Sequence, residues 1–409
     1  MSVIFRSIVT GIAVCAYSFA AYADSTNVVS NKTKSDTTIT STKPGIHLDQ
    51  SKDILFEQFS ANTFALQLLQ AKNTFNNNDL IIGGSLQTDW QHWHGKSLTT
   101  TPVSIYDHGQ DLYLTQATLD IMGNVSHWAT TFLSIADGHI GQPFPNGNDI
   151  FINRAMVMIG DLDKFPVYTT IGINTIPFGV FAGSGVWDTP LTGSYFNPSQ
   201  APMVSIAYYN KGLNVSVSKF SDDANHQNHT VMSAYYNHTM DKFNYSLGAG
   251  YLTDLQSNDT GTITTHRKRK RDIPAGLHLG DITDVNASMG YGPLLLSGEY
   301  DRGSQKIGSN TGAPEALSFT LTYTHAIAGR DATFGISHSR SFHLVGVPTS
   351  LAGADGLPLS AEGLREAWAI SAIRPFFSNN LTLGVNFEKT ETYLTANSYT
   401  GTVELFLYL

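Results

Sequence analysis

Leu381-Thr382-Leu383-Gly384-Val385-Asn386-Phe387-Glu388 alternates an apolar residue with a small or polar one at every step. Successive side chains of a β-strand point to opposite faces, so this stretch reads as a strand with one greasy face and one wet face. The pattern recurs along the chain. Leu213, Val215 and Val217 alternate with Asn214, Ser216 and Ser218, and Phe319, Leu321 and Tyr323 with Thr320, Thr322 and Thr324. Phe243, Tyr245, Leu247, Ala249 and Tyr251 alternate with Asn244, Ser246, Gly248 and Gly250.

Working outward from these segments places strands at 80–94, 111–123, 128–137, 151–160, 165–174, 202–209, 212–220 and 230–239. The series continues at 243–252, 282–290, 293–302, 316–327, 331–342, 364–375, 380–389 and 401–409. Most have about ten residues, the length a tilted strand needs to cross a bilayer. Every second strand is followed by a tight turn, as at Asp161–Lys164, Asn210–Gly212, Met240–Lys242, Tyr291–Gly292, Ala328–Arg330 and Phe377–Asn379. The others are followed by long polar connections such as 138–150, 175–201, 253–281 and 343–363. A soluble sandwich has no reason to sort its loops in this way, whereas a membrane barrel has short turns on one rim and long loops on the other. The expectation is an all-β transmembrane β-barrel of about sixteen antiparallel strands. Val403, Leu405, Leu407 and Leu409 extend the alternation to the last residue, like the terminal strand by which barrels are recognised for assembly, although that signal usually ends in Phe.

Composition fits. Charged residues make up 14% of the 409-residue chain, well below the usual quarter, and Gly (36 residues), Ser, Thr, Asn and aromatics replace them. Residues 1–23 read as a secretory signal peptide, with Arg6 as the positive region, Ile8 to Ala20 as the apolar region and Ala21-Tyr22-Ala23 as the cleavage site. Cleavage after Ala23 removes Cys15, the only cysteine, which excludes disulfides and thiolate metal sites from the mature chain. It also removes Arg6, taking the formal charge from -9 to -10 and arguing against a nucleic-acid partner. No other stretch reaches the roughly 18 consecutive apolar residues of a membrane helix. The expected organisation is a signal peptide at 1–23, a short N-terminal periplasmic segment at 24–79 and an outer-membrane barrel at 80–409. Within that segment 24–45 reads as a polar, disordered linker. Ile54, Leu55, Phe59, Leu66 and Leu69 suggest a helix within 51–73, either a periplasmic cap or a plug that enters the barrel.

One connection stands apart. Residues 175–201 are too long for a turn and are stiffened by Pro177, Pro190, Pro198 and Pro202. They could fold inward as a constriction carrying Pro177, Phe178, Gly179, Phe181, Trp187, Asp188, Pro190 and Tyr195, or cap the outer rim. His266 and the basic run Arg267, Lys268, Arg269, Lys270 and Arg271 sit in the longest outer loop. They could capture an anionic ligand or lipopolysaccharide phosphate, Arg being suited to carboxylate and phosphate forks. Parity places Asp89, Asp120, Glu299, Asp301, Glu388 and Glu404 on the inner wall, with Arg365 among the few opposing charges, so the lumen is expected to be wet and acidic.

Histidines at 92, 94, 226, 229 and 238 fit no defined ligand spacing, so neither a metal nor a cofactor is expected. Trp90, Trp93, Trp128, Trp187 and Trp368 read as interface anchors. No H-E-x-x-H, G-x-S-x-G or phosphate-loop motif is present, and Gly183-Ser184-Gly185 lacks the elbow pattern, so the chain is not expected to be an enzyme.

A family resemblance enters through Asn153-Arg154-Ala155, Gly160-Asp161-Leu162-Asp163-Lys164, Pro166-Val167-Tyr168, Pro177-Phe178-Gly179-Val180-Phe181 and Asp188-Thr189-Pro190-Leu191-Thr192. Leu66 to Trp90, with Ile82-Gly83-Gly84, is similar too. Together these resemble the LbtU-type siderophore porins, outer-membrane proteins of intracellular gammaproteobacteria. The resemblance covers about a third of the chain and departs from the family at Gly193-Ser194-Tyr195-Phe196-Asn197, where an acidic stretch is usual. It implies a barrel without a large plug domain that takes up ferric siderophore across the outer membrane of a Gram-negative bacterium. Outer-membrane lipid and lipopolysaccharide would be its surroundings, and its oligomeric state is left open. A general or differently selective porin, and a surface adhesin or structural barrel, are the competing readings.

Overall fold

The computed structural model describes residues 46–48, 63–72, 75–95, 108–140, 150–185, 190–198, 200–221, 229–253, 280–347, 363–394 and 397–408. Its strands are β1 (Ile46–Leu48), β2 (Asp79–Gly95), β3 (His108–Asn124), β4 (Ala129–Ile140), β5 (Phe151–Ile159), β6 (Val167–Thr175), β7 (Gln200–Asn210), β8 (Leu213–Phe220) and β9 (His229–Met240). They continue as β10 (Phe243–Leu252), β11 (Ile282–Tyr291), β12 (Leu294–Gly303), β13 (Glu315–Ile327), β14 (Arg330–Phe342), β15 (Leu364–Pro375), β16 (Leu381–Thr392) and β17 (Asn397–Tyr408). Two short helices accompany them, α1 (Phe64–Ala71) and α2 (Leu191–Phe196).

From β2 to β17 each strand pairs antiparallel with its neighbour in sequence, and β17 pairs back onto β2, with Tyr408 opposite Ser85 and Ser398 opposite Gly95. The result is a closed ring of sixteen strands, as the alternation and the sorted loops predict. Closure leaves no unpaired edge, which lipid requires because it offers backbone groups no partner. One gap remains. β17 stops opposite Ser85, leaving the start of β2 uncovered on that side, and β1 fills it in parallel register, Ile46 opposite Leu80 and Leu48 opposite Ile82. Part of the 24–79 segment is thus annexed to the barrel wall.

The burial pattern is inverted relative to a soluble protein. On β8 Leu213, Val215 and Val217 are exposed, while Asn214, Ser216 and Ser218 are buried. On β15 Ile370 is 61% exposed beside Ser371 at 4%. Apolar side chains facing outward and small polar ones facing inward fit a hydrocarbon surround. Among the described residues no helix is long and apolar enough to cross a membrane. Aromatic side chains mark both rims: Trp128, Phe165, Tyr208, Tyr291, Tyr323 and Phe377 by the tight turns, and Trp90, Tyr251, Trp368 and Tyr399 by the long loops. Trp93 departs from the anchor reading; it packs inward against a buried apolar cluster. The tight turns are hairpins with positive φ, as at Ala328 (49°) and Gly329 (76°), the geometry that follows the sheet's twist.

The signal peptide, the 24–45 linker, Ile54, Leu55, Phe59, Trp187, Asp188 and the basic run 266–271 lie outside the described residues. A Leu247→Arg substitution, on the lipid face midway along β10, is expected to destabilise the membrane-folded state by about 2–4 kcal/mol. Reversible denaturant unfolding in phospholipid vesicles measures this, and an unchanged stability would contradict the lipid-facing assignment.

Candidate functional site

Between β6 and β7 the described residues, 176–185 and 190–198, turn into the barrel and reach its far wall. The segment leaves at Thr175 and its tip is fixed to β12–β15, on the far side of the ring. Val180 and Phe181 donate their backbone N–H groups to the two carboxylate oxygens of Glu299, at 2.5 and 2.7 Å. Thr320 Oγ1 donates to the Ala182 carbonyl (3.0 Å), and Ser371 Oγ donates to the Ser184 carbonyl (2.5 Å). The N–H of Leu191, which opens α2, donates to Ser339 Oγ at 3.1 Å. Inward Ser, Thr and Glu residues of the wall thus supply the partners that a buried loop backbone needs. The wall also makes room: a Cβ on Gly335 would lie 2.0 Å from the Ser184 carbonyl oxygen.

Pro177, Phe178, Gly179, Phe181, Pro190 and Tyr195 therefore lie inside the barrel. Phe178, Phe181 and Tyr195 are buried, with Gly179 and Phe181 at φ of 65° and 53° where the chain reverses. The Tyr195 hydroxyl exchanges hydrogen bonds with the backbone of Leu364, donating to its carbonyl (3.1 Å) and accepting from its N–H (2.6 Å). Burial raises the pKa of this phenol well above its ordinary value. These side chains build an apolar cluster with Met203, Phe220, Val231, Leu252, Ile282, Leu344 and Leu364 of the long-loop half.

A second apolar cluster occupies the tight-turn end, and α1 is its centre. Phe64, Leu66, Leu68 and Leu69 are buried against inward Ile81, Met122, Phe132, Met156, Met158 and Phe406. The Phe64 ring meets Phe132 edge-on at 5.0 Å and lies 4.3 Å from the Arg154 guanidinium. Lys72 locks the end of the helix, donating to the carbonyls of His127 (2.7 Å) and Gly160 (2.5 Å). Burial lowers its pKa, while Asp161 and Asp163 act the other way. Asn124 Nδ2 reaches the carbonyls of Lys72, Phe75 and Asn76. The helix is thus a plug-like insertion, and the interior has a polar, acidic middle between two apolar clusters.

Around that middle Asp89, Asp120, Glu299, Asp301, Glu388 and Glu404 are all buried on the inward face. Gln87 donates to Glu404 (2.6 Å) and Asp89 (3.2 Å), and Thr115 donates to Asp89. Arg365 does not join them. A bulge between Leu364 and Glu366 breaks the parity, and Arg365 pairs instead with Glu391 on the outward row of β16. Arg154 is the inward cation that charge counting overlooked: fully buried, it donates through Nε and Nη2 to Thr175 Oγ1, at the base of the inward segment. The quoted Asn153-Arg154 pair was the available signal, since Asn153 accepts from Gln200 at the segment's other base. Asp284 belongs to the same inward set, its alternation with Val285, Ala287 and Met289 being the signal for it, and register sets it opposite Asp301 across β11 and β12.

The family described as Protein of unknown function (DUF3573) matches residues 48–273, more than half of the chain. A curated relative, the UPF0422 protein of Coxiella burnetii, is 22% identical over 248 residues, covering 56% of this chain and 52% of its own; the chain spans about half the length of that relative. Among solved structures the barrel is similar to Pseudomonas putida OprB (TM-score 0.55, 12% identity, covering 81% of this chain and 94% of that one). It is also similar to an anion-selective porin from Comamonas acidovorans (TM-score 0.54, 11% identity, 81% and 99%). At these identities the likeness establishes the porin fold and nothing about the solute.

Two outcomes test the interior. Phe64→Ala is expected to weaken helix docking by about 3–5 kcal/mol and to speed hydrogen exchange across 64–71. Gly335→Val is expected to displace the tip at Ser184 and open 176–185 to added protease while the strands stay protected.

Proposed function

We propose, from the premise that the chain belongs to the DUF3573 family of proteins of unknown function, that it is an outer-membrane channel taking up solute without covalent chemistry or a large plug domain. The observation that carries this reading is that residues 176–185 and 190–198 are held inside the barrel by the opposite wall. A segment so placed narrows any route along the axis and sets what passes. The mature chain would start after Ala23, with 24–45 in the periplasm and the long loops facing outward among lipopolysaccharide. The signal-peptide reading of residues 1–23 and the porin fold support this placement.

Ferric siderophore is the solute we favour, on the resemblance carried by residues 153–192. The inner wall bears Asp89, Asp120, Asp284, Glu299, Asp301, Glu388 and Glu404 against Arg154, so in this reading the interior disfavours anions. An anionic siderophore would then need the basic run at 267–271 for capture. A second reading has its own observation: two apolar clusters inside the barrel favour a structural or adhesive barrel with negligible conductance.

Planar-bilayer recording separates them. A channel is expected to show small, cation-preferring conductance that grows when Gly335→Val loosens the tip. Silence from both wild type and variant would leave the structural barrel. Proteoliposomes are expected to accumulate labelled ferric siderophore faster than empty vesicles, and faster than those carrying Arg267, Lys268, Arg269, Lys270 and Arg271 replaced by Gln. Uptake equal to that of empty vesicles from a protein that conducts ions would sink the siderophore and keep the channel.

A further inference from the structure

We propose that Asp284, Glu299 and Asp301 together hold one divalent cation of the hard, oxygen-preferring class to which calcium belongs, inside the barrel beneath the inward segment. The register brings them together. Asp284 on β11 is directly opposite Asp301 on β12, and Glu299 lies two residues along β12 on the same inward face. Directly opposed like charges destabilise a sheet. Here all three carboxylates are more than nine-tenths buried, each offering an oxygen within 4.8 Å of the others.

The hydrogen bonds leave an imbalance that a cation would remove. Glu299 is oriented by the Val180 and Phe181 amides and by Thr192, and Asn286 Nδ2 donates to Asp284 Oδ2 at 2.7 Å. Both oxygens of Asp301 and the Oδ1 of Asp284 make no hydrogen bond of ordinary geometry. None of the ion pairs among the described residues involves the three. An independent group points the same way. Tyr235 on β9 extends over Gly248, whose missing side chain leaves room for its ring, toward Asn286 and the carboxylates. Its hydroxyl is buried and makes no hydrogen bond of ordinary geometry. The Phe178 ring covers the cluster, since a Cβ on Gly250 would lie 2.9 Å from that ring and 3.4 Å from Asp284 Cβ.

Buried, uncompensated carboxylates are very costly, and neutralisation by a bound metal is one of the few ways to keep them. The donor set is oxygen only, which selects hard cations over zinc or copper. Magnesium dehydrates reluctantly and is rarely held by an all-protein cage, so a buried set of three carboxylates suits calcium better. A cation here would tie β11, β12 and, through Glu299, the tip of the segment into one unit. The solute assignment plays no part in this argument.

The test uses the full mature chain refolded in detergent, stripped with chelator and dialysed to equilibrium against calcium, with magnesium and zinc in parallel. We expect one calcium per chain, bound more tightly than either competitor, and a thermal midpoint that rises when calcium is restored. Asp301→Asn should weaken calcium binding at least about tenfold and abolish the thermal response, while Glu388→Gln, elsewhere on the inner wall, should leave both intact. No bound calcium in the wild type, equal or tighter binding of magnesium or zinc, or unchanged binding by Asp301→Asn would each overturn the proposal. The wild-type stoichiometry decides the matter alone if the variant fails to fold.

Discussion

A peptide group in hydrocarbon has no water to bond, so every strand that crosses lipid must be paired along both edges. Most other features follow from that requirement. The ring closes between β17 and β2, and the one stretch of β2 that β17 does not reach is covered by β1. Closure fixes each strand's faces, and the period of two then separates Leu, Val, Ile and aromatics outside from Ser, Thr, Asn and acidic groups inside. The same small polar residues that suit a hydrated wall also anchor whatever enters. Ser339, Thr320, Ser371 and Glu299 bind the crossing segment because a buried loop backbone has to find partners somewhere.

The interior is organised by one stretch of sequence. Between 153 and 196 lie Arg154, which bonds the base of the segment and stacks on Phe64 of α1, and Gly160, whose carbonyl receives Lys72 at the helix end. The segment itself and Tyr195, locked to the backbone of Leu364, complete it. Both inserted elements, the helix at the tight-turn end and the segment toward the other rim, thus converge on β5 and β6. Residues that look scattered in the sequence resemblance act together as the fastening of two insertions.

Much of this was legible in advance, and for a physical reason. Strands in a closed barrel obey a strict period, so the segments around Leu213, Phe319 and Leu381 could be placed within a few residues of their observed ends. Loop sorting gave the two rims. Tertiary contacts were less accessible. The spacing of Leu66 and Leu69 shows that a helix buries one face, but not that inward Ile81 and Met158 bury it. Parity places Asp301 inside, yet only register sets Asp284 opposite it. One bulge was enough to carry Arg365 out of the inward row, and it falls so near the start of β15 that too few residues precede it to show the shifted alternation.

The barrel is inside-out and residues 176–185 and 190–198 reach through its interior to the far wall, which cross-linking in a membrane tests most directly. The mature chain would contain no cysteine, so Ala182→Cys with Thr320→Cys gives a clean pair across the barrel, and Ala182→Cys with Phe319→Cys gives a control on the lipid face. In vesicles a short bismaleimide should join the first pair and not the second. Equal linking of both pairs, or linking of neither in a folded barrel, would contradict the bridge.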